Sequence, residues 1–353
     1  MAELKLRQGL IFGLGNPLLD ISCVVNVEFL KKWGLEANNA ILADDSHNGL
    51  VDDLVKNYDA KYIAGGAVQN TMRVVQWIVG IPKVCTFMGC IGIDEFGRCM
   101  ETKATEDGVN CVYMKDQSAK TGHCAVMITD NGKNRSLCAF LGAANNFKQH
   151  HLEKYWDNVE NARYFYISGF AITVSIESLL KVADYASTFN DRYFCFNLSA
   201  AFISQVFLDR LMQVFPFVDV LFGNETEAEA FAVANKFQDT KNMSQIAKCI
   251  ANLPKKNQNK PRLVIITQGS EPVIIARQNE EAVQTFPVKK LDAEKIVDTN
   301  GAGDAFVAGY LSQYVQQKST EQCVRVGIYA AQQIIQQDSC SIPKYAPQIE
   351  NNN

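Results

Sequence analysis

Short apolar segments alternate with amphipathic helical patterns through the middle and the C-terminal part of this 353-residue chain. The apolar segments are typical of buried strands and lie at 84–87, 164–167, 193–196, 218–222 and 263–267. The helical patterns lie at 71–79, 176–186, 204–214, 225–234 and 244–253. Such alternation predicts an α/β fold whose mainly parallel sheet is covered by helices on both faces. Ligands of these folds bind at the carboxyl ends of the strands, so we expect the functional site there.

Two stretches interrupt this alternation with strand-like segments and turn signals. Segments at 122–129 and 135–141 flank Asp130-Asn131-Gly132, which predicts a β-hairpin with a short loop. We therefore predict a small, discontinuous β-rich lid domain made of residues 18–64 and 115–145. The large α/β domain would consist of residues 1–17, 65–114 and 146–353. A lid of this kind excludes water from a reaction.

Composition and charge narrow the class of protein. The formal charge is −4, so the chain lacks the basic surface typical of nucleic-acid binders. A small cluster of Lys255, Lys256 and Lys260 lies in a Pro- and Asn-rich stretch, which predicts a solvated loop. The 11 cysteines form no CxxC pair and the four histidines have no zinc-ligand spacing, which indicates reduced thiols. Residues 1–8 are polar and no apolar run reaches the ~20 residues of a membrane span, so we expect a cytoplasmic location, compatible with nuclear presence.

The strongest chemical signal is a glycine-containing segment at the start of a predicted helix, Asp298-Thr299-Asn300-Gly301-Ala302-Gly303-Asp304-Ala305-Phe306. Small residues at a helix start leave backbone N–H groups bare, and together with the helix dipole these form an anion hole. Asp304 lies in the first turn, where a carboxylate suits the role of general base for a hydroxyl nucleophile. We therefore predict Asp304 as the catalytic base, with Gly301, Ala302 and Gly303 forming the anion hole. The alternative is that Asp304 is only a favourable first-turn acid.

Two common nucleotide-binding motifs do not account for this chain. The phosphate loop Gly-x-x-x-x-Gly-Lys-Ser/Thr is absent. Gly13-Leu14-Gly15 follows a short strand, but the third glycine of a dinucleotide fingerprint is replaced by Leu18. A nicotinamide site is therefore not expected.

Four motifs resemble the ribokinase-like carbohydrate kinases and occur in the order of that family: Ala64-Gly65-Gly66-Ala67-Val68-Gln69-Asn70, Asn224-Glu225-Thr226-Glu227, Thr267-Gln268-Gly269 and residues 298–306. The resemblance covers about residues 10–343 and implies a three-layer α/β/α ribokinase-like fold with a small β-rich lid. Within the family it narrows to the branch that phosphorylates adenosine, through residues 15–22, 89–94, 197–200 and 221–228. The implied reaction, a step of purine salvage, transfers the γ-phosphate of ATP to the 5′-hydroxyl of adenosine and yields AMP and ADP. The resemblance also implies a Mg2+-dependent monomer, and the charge and the lack of a long apolar run lead us to expect no nucleic-acid or membrane partner.

The resemblance assigns the nucleoside site residue by residue. Asp20 would accept hydrogen bonds from the ribose hydroxyls, with Asn16, Gly65, Gly66 and Asn70 beside it. The base would lie in an apolar sandwich between Phe170 and Leu18, with walls formed by Leu42, Cys124, Leu137, Ala139, Leu141 and Phe202. Taken alone, Asp20 and Asn16 could instead cap a turn. Each of the apolar residues could instead belong to the hydrophobic core.

The resemblance also assigns the phosphate side. Arg135 would approach the transferred phosphate, although a surface charge beside the hairpin turn is the alternative. Asn224 and Glu227 would organise Mg2+, with Glu227 acting through water; helix capping is the alternative. Thr267, Gly269, Asn300, Gly301 and Gly303 would bind the nucleotide.

The sequence departs from the family pattern at two positions. Ala67 stands where many relatives of the adenosine-phosphorylating branch carry serine, and Ile328 stands where some have histidine near the donor adenine. Polar contacts at these two positions are therefore not carried over. Two other functions stay open: another nucleoside or sugar kinase of the same family, and a nucleoside-binding protein without catalysis.

Overall fold

The computed structural model describes residues 6–130 and 134–349, and the elements below are those of these two ranges. The strands are β1 Ile11–Leu14, β2 Leu18–Val24, β3 Ala40–Leu42, β4 Lys61–Gly65, β5 Cys85–Gly92, β6 Asn110–Asp116, β7 His123–Thr129, β8 Asn134–Phe140, β9 Tyr164–Ser168, β10 Tyr193–Asn197, β11 Val220–Asn224, β12 Leu263–Gln268, β13 Glu271–Arg277 and β14 Gln284–Phe286. The helices are α1 Val27–Lys32, α2 Leu50–Asn57, α3 Ala67–Val79, α4 Glu95–Glu106, α5 Gln149–Lys154, α6 Asp157–Asn161, α7 Ile176–Ser187, α8 Ala201–Val206, α9 Leu208–Val214, α10 Glu225–Ala234, α11 Met243–Ala251, α12 Ala302–Tyr314 and α13 Thr320–Ile334. In these ranges no helix combines the length and the apolar character that a membrane crossing requires.

A nine-stranded sheet forms the centre of the fold, in the order β14-β13-β12-β11-β10-β9-β1-β5-β6. All neighbouring strands pair parallel except at one edge, where β13 is antiparallel to both β12 and β14. Neighbouring residues of a strand enter opposite cores, because side chains alternate across a sheet. Tyr164 and Tyr166 of β9 face the core that contains α3, α12 and α13, whereas Phe165 and Ile167 face the core that contains α7, α10 and α11. The predicted α/β fold with a covered, mainly parallel sheet is confirmed.

A separate five-stranded sheet has the order β3-β8-β7-β2-β4. The predicted hairpin strands are present, since β7 and β8 pair antiparallel from His123↔Phe140 to Thr129↔Asn134. Asn131 and Gly132 of the predicted turn lie outside the described residues. One face of this sheet packs on α1 and α2 through apolar residues such as Leu30, Leu50 and Leu54. The domain boundaries given above remain a prediction.

Most predicted elements of the large sheet lie where the pattern placed them, and one helix does not. The pattern predicts a single helix over 204–214, but the chain forms α8 and α9, which are separated at Phe207. Phe207 has φ −115° and ψ 27°, outside the helical region, and its ring contacts Phe202 and the guanidinium of Arg210. The continuous periodicity hides this break because both short helices bury the same side.

The prediction of a solvated loop at residues 255–260 is wrong for two of its three lysines. Lys255 and Lys260 are 6% and 5% exposed, and both bind the carboxylate of Asp219. Lys256 is exposed and pairs with Asp184 at the surface. Composition alone suggested a solvated stretch, but a buried carboxylate elsewhere in the chain stabilises the two charged side chains inside the protein.

Candidate active site

A pocket of about 350 Å³ lies between the two sheets, at the carboxyl ends of the central parallel strands. Asn16, Ser168, Asn197, Asn224 and Thr267 reach it from the ends of β1, β9, β10, β11 and β12, or from just beyond them. The five-stranded sheet closes the other side. The site therefore lies where the sequence predicted it, since parallel strands place their carboxyl ends at one edge of a sheet.

The five-stranded sheet contributes one face to the pocket because side chains alternate along its strands. Strand pairing places Asp20, Cys124, Ala139 and Leu42 in one row across β2, β7, β8 and β3. All four residues line the pocket, as do Leu137 and Leu141. A single acidic side chain therefore stands at one end of an otherwise apolar wall.

The opposite wall carries an aromatic side chain. Phe170 lines the pocket, as does Leu18, which the sequence placed across from it. Phe202 does not line the pocket; it packs against Phe170 with a distance of 6.1 Å between the ring centroids. Asn16 donates from Nδ2 to the Phe170 carbonyl oxygen at 3.4 Å. Phe202 and Asn16 therefore hold Phe170 in place, and the wall is suited to a flat apolar ring.

The N-terminus of α12 opens into the pocket. Gly301 is its N-cap with φ +76°, and no side chain caps the first N–H groups. A Cβ at Gly301 would lie 2.7 Å from Cβ of Cys340, so the tight turn excludes larger residues. Gly303 faces open space in the pocket, whereas Ala302 does not line it. The Ala302 N–H donates to the Thr299 carbonyl oxygen at 3.3 Å, whereas those of Gly303 and Asp304 have no partner among the described residues. These free N–H groups and the positive end of a 13-residue helix form a site for an anion.

Asp304 lies beside this anion site, in the first turn of α12. Its Oδ2 accepts a hydrogen bond of 3.0 Å from Asn70 Nδ2, and its carbonyl oxygen accepts one of 3.2 Å from Thr71 Oγ1. Burial raises the pKa of Asp304 to about 7, against the opposing effects of the Asn70 hydrogen bond and the charge of Arg135. A carboxylate with this pKa is suited to accept a proton near neutral pH.

Asp20 is the second carboxylate of the pocket and is 6% exposed. Burial raises its pKa to about 7, and the neighbouring charge of Asp304 adds to the effect. Asn300 Nδ2 donates to Asp20 Oδ2 at 3.3 Å and to Ser339 Oγ at 2.9 Å. Gly65 lies behind this carboxylate and does not line the pocket.

The loop before α12 is held by a buried carboxylate to which the sequence analysis assigned no role. Asp298 accepts hydrogen bonds from the backbone N–H groups of Asn300 at 2.8 Å and Ser339 at 3.0 Å. Asp298 is 1% exposed. These bonds fix the turn that presents Gly301 and Asn300 to the pocket. In the sequence, this role could have been inferred from the position of an acidic residue at the start of residues 298–306.

Arg135 enters the pocket from β8. One terminal nitrogen, Nη1, donates to Thr299 Oγ1 at 3.0 Å, and Nε is buried without a hydrogen-bond partner among the described residues. Burial lowers the pKa of Arg135, whereas the charges of Asp298, Asp304 and Asp20 oppose this change. A partly buried guanidinium whose Nε has no partner among the described residues can complete its hydrogen bonds with a ligand.

Asn224 and Glu227 form a capping box at the start of α10. The Asn224 side chain accepts from Glu227 N–H at 2.8 Å, and Glu227 Oε2 accepts from Asn224 N–H at 3.0 Å. Burial raises the pKa of Glu227 to about 7. Glu227 also lines the pocket, so helix capping and a ligand role coexist at this residue.

Of the other residues expected to bind the nucleotide, some line the pocket and some do not. Thr267 lines the pocket and its Oγ1 donates to the Gly223 carbonyl oxygen at 3.4 Å. Gly269, with φ +56°, does not line the pocket. Of the two departures from the family pattern, Ala67 lines the pocket, whereas Ile328 packs half-buried against the core.

Several pocket residues were missed by sequence reasoning. Asn38 and Asn39 line the pocket from a loop before β3, and Asn38 Oδ1 accepts from the Arg135 backbone N–H at 3.0 Å. No motif or periodicity marks this loop. Ser168, Asn197 and Ser199 lie at or beyond the ends of β9 and β10. Their position after apolar strands could have indicated them, and Asn197 and Ser199 also belong to residues 197–200, which carry part of the resemblance but were given no role.

Gly66 provides a prediction on stability. It is the N-cap of α3 with φ +95° and ψ 125°, and a Cβ there would lie 2.3 Å from the Asn16 carbonyl oxygen. We expect Gly66→Ala to lower the free energy of unfolding by about 2 kcal/mol or more, measured by urea denaturation. Gly80→Ala is the control, since Gly80 has φ +64° but no atom within 4 Å of the added Cβ. Equal losses in the two variants would contradict the steric argument.

Comparison with known proteins connects this geometry to a family. Residues 28–347 match the sequence profile described as pfkB family carbohydrate kinase. Adenosine kinase 2 of Arabidopsis thaliana is 45% identical over 346 residues, which cover 98% of this chain and 99% of the relative.

Solved structures agree with this sequence relationship. The adenosine kinase of Anopheles gambiae, in complex with P1,P4-di(adenosine-5) tetraphosphate, is 47% identical with a TM-score of 0.92 and covers 96% of this chain and 100% of its own. The adenosine kinase of Schistosoma mansoni, in complex with adenosine and AMP, is 33% identical with a TM-score of 0.88 and covers 96% of this chain and 99% of its own. The similarity thus extends over nearly the whole chain and includes both sheets.

Proposed function

The chain belongs to the pfkB family of carbohydrate kinases, as the profile match and its adenosine kinase relatives show, and from this premise we propose that it phosphorylates adenosine. The reaction transfers the γ-phosphate of ATP to the 5′-hydroxyl of adenosine and yields AMP and ADP. The observation that carries the proposal is the position of Asp304 beside the bare N-terminus of α12, in a pocket with one apolar wall.

The nucleoside site follows from the two walls of the pocket. The purine ring would lie between Phe170 and the apolar face of the five-stranded sheet, where stacking and burial favour a flat ring. The ribose would meet Asp20 and Asn16, because a carboxylate and an amide together satisfy two neighbouring hydroxyl groups. A free sugar would leave the apolar wall uncovered, which favours a nucleoside over a sugar as substrate.

Asp304 would act as the general base. It would accept the proton of the 5′-hydroxyl as the oxygen attacks the γ-phosphorus and the bond to the leaving ADP oxygen breaks. Asn70 holds Oδ2 of Asp304 at 3.0 Å and thereby fixes the carboxylate against the anion site. Orientation of this kind supplies much of the rate of phosphoryl transfer.

Charge on the transferred phosphoryl group would be stabilised from two sides. The N–H groups at the start of α12 act from one side, where no side chain competes for them. Arg135 acts from the other side through donors such as Nε, which has no hydrogen-bond partner among the described residues. Because both groups are held in place before the reaction, little reorganisation is required in the transition state.

Glu227 and Asn224 fit a Mg2+ ion held through water. Both side chains line the pocket, and the carboxylate of Glu227 is fixed by Asn224 with Oε1 at 2.8 Å from Nδ2. A buried carboxylate with a raised pKa gains from a nearby cation, and Mg2+ retains several of its waters in protein sites. When bound with ATP, Mg2+ neutralises charge on the phosphate oxygens.

The five-stranded sheet would serve as the lid. It carries Asp20, Cys124 and Arg135 to the pocket, so its position determines whether the nucleoside and phosphate contacts form together. The 11 free thiols support a reducing, cytoplasmic location. We further propose a monomer without nucleic-acid partners, in line with the resemblance and the net charge of −4.

The proposal is tested by product analysis. The protein is incubated with adenosine, ATP and Mg2+, and nucleotides are separated by chromatography. We expect AMP and ADP in equal amounts. The matched control is 5′-deoxyadenosine, which keeps the base and both ribose hydroxyls but lacks the acceptor, and should bind without forming AMP. Calorimetric binding of adenosine with no product under any condition would instead indicate a nucleoside-binding protein.

The raised pKa of Asp304 gives a prediction on pH. Because the base must be deprotonated to accept a proton, kcat/KM for adenosine should fall as the pH decreases through about 7. Asp20 and Glu227 also have pKa values raised to about 7, so a carboxyl 13C NMR titration of wild type and Asp304→Asn is needed to assign the midpoint. A constant rate down to about pH 5, where an ordinary carboxylate stays ionised, would contradict the prediction.

A further inference from the structure

A second cavity, of about 320 Å³, lies at the amino-terminal edge of the central sheet. Tyr193 and Leu263 line it from the starts of β10 and β12, and Tyr310 and Tyr314 line it from the last turns of α12. Asp304 lies at the other end of the same helix, which at 13 residues is about 20 Å long. The cavity is therefore separate from the candidate active site.

The surroundings of this cavity carry an excess of buried positive charge. Asp219 is 2% exposed and accepts hydrogen bonds from Lys255 at 2.5 Å and from Lys260 at 3.0 Å. Nearby Arg262 is fully buried, and its guanidinium donates only to backbone carbonyl oxygens. One carboxylate therefore faces three cations, an arrangement that would be stabilised by a further anion.

Three cationic side chains, those of Lys260, Arg277 and Lys318, line the cavity itself, and the first two offer hydrogen-bond donors to it. Lys260 lines it, and its ammonium donates to Asp219 and to the Arg192 carbonyl oxygen, which leaves one of its three hydrogens for the cavity. Arg277, at the end of β13, also lines it; its Nε lies 3.3 Å from Glu280 Oε1, and the terminal nitrogens have no acceptor among the described residues. Donors of both residues are thus available to an anionic group.

Three tyrosines supply an aromatic lining with unused hydroxyl groups. The Tyr193 and Tyr314 rings meet edge to face at 5.6 Å, and those of Tyr310 and Tyr314 lie 5.8 Å apart. In the described part of the chain, no group hydrogen-bonds the hydroxyls of Tyr193, Tyr310 or Tyr314. Tyr193 and Tyr314 are half-buried, and all three side chains line the cavity, so their hydroxyls can hydrogen-bond a molecule bound there.

We propose that this cavity is a second binding site, for a small aromatic anion that carries a carboxylate or a phosphate. The anionic group would accept hydrogen bonds from Arg277 and Lys260, and the ring would pack against Tyr310 and Tyr314. The side-chain amides of Asn190 and Asn259 at the rim of the cavity can bind further polar atoms. This inference does not depend on the reaction at the candidate active site.

Calorimetric titration of the full chain with phenyl phosphate and with benzoate tests the proposal, and phenol serves as the neutral probe. We expect saturable binding of at least one anion and much weaker binding of phenol. Arg277→Gln should weaken anion binding about tenfold or more, because a charge-assisted hydrogen bond is lost. Tyr314→Phe keeps the ring and should weaken it several-fold. The affinity of this cavity for the anion should be unchanged in Arg135→Gln, which alters the other pocket, and in Lys56→Gln, which alters the surface.

Three outcomes would overturn the proposal. The first is that neither anion binds saturably. The second is that binding is lost in Arg135→Gln but kept in Arg277→Gln. The third is that phenol and phenyl phosphate bind with equal affinity. Thermal unfolding of each variant shows whether it is folded. If Arg277→Gln does not fold, anion binding is measured instead in Tyr314→Phe and in Arg277→Lys, which keeps the positive charge.

Discussion

Asp304→Asn should lower kcat by about a thousandfold while leaving the affinity for adenosine within a fewfold of wild type. The amide keeps the size of the side chain and its hydrogen-bond acceptor toward Asn70, but it cannot accept the proton of the 5′-hydroxyl. Steady-state turnover and calorimetric binding of adenosine measure the two quantities separately. Turnover within about tenfold of wild type would contradict the assignment of Asp304 as the base.

A loss of folding cannot account for this expected result. Because burial raises the pKa of Asp304 from its ordinary 3.8 to about 7, the native state binds more protons than the unfolded state between these values. The contribution of Asp304 to stability therefore decreases as the pH rises from about 4 to about 7, and the ionised form is unfavourable at pH 8. We expect the Tm of Asp304→Asn at pH 8 to equal or exceed that of wild type.

Asp20→Asn is the matched control, since Asp20 is a carboxylate of the same pocket with the same direction of pKa shift. Its proposed role is to bind the ribose hydroxyls, so the variant should mainly raise KM for adenosine, by about tenfold or more. The two variants should therefore separate binding from chemistry. The same pattern of kcat and KM in both would show that the carboxylates do not have distinct roles.

Arg135→Gln should lower kcat by about a hundredfold to a thousandfold. The reason is that the partly buried guanidinium, held by Thr299, provides fixed donors and charge toward the transferred phosphoryl group. Adenosine affinity should change little, because the apolar wall and Asp20 remain. The measurement is kcat at saturating ATP and adenosine, together with calorimetric binding of adenosine.

Thr299→Val distinguishes catalysis by Arg135 from a purely structural role. It removes the acceptor that Arg135 Nη1 binds at 3.0 Å but keeps the positive charge. We expect a loss of less than about tenfold in kcat for Thr299→Val, and partial recovery in Arg135→Lys relative to Arg135→Gln. A loss in Thr299→Val as large as in Arg135→Gln would indicate that Arg135 mainly holds the loop before α12.

Much of the fold could be predicted from local pattern. Buried strands such as β9 and β12 are continuous apolar runs, and two strand-like segments on either side of Asp130-Asn131-Gly132 indicated the hairpin of β7 and β8. The errors arose where contacts distant in sequence override local pattern. Lys255 and Lys260 are buried because Asp219, 36 and 41 residues away, accepts their hydrogen bonds, and no local feature of a Pro- and Asn-rich stretch indicates this.

The candidate site was predictable to the extent that its residues belong to motifs. Asp304 and Gly301 were found because a helix start with bare N–H groups has a sequence signature. Asn38 and Asn39 belong to a loop without periodicity, so their place in the pocket required the structure. Phe202, Gly65, Ala302 and Gly269 belong to the segments that the resemblance identified but do not line the pocket, since resemblance identifies a segment and not which of its residues face a ligand.

The most direct test of the central claim is a comparison of kcat/KM for adenosine, inosine, cytidine and ribose with ATP as the donor. The apolar wall and Phe170 predict a strong preference for adenosine over ribose, by about a hundredfold or more, because burial and stacking of the base contribute several kcal/mol. A preference for adenosine over the other nucleosides would complete the agreement. A higher kcat/KM for ribose, or for another nucleoside, would contradict the account and place this chain in a different branch of the family.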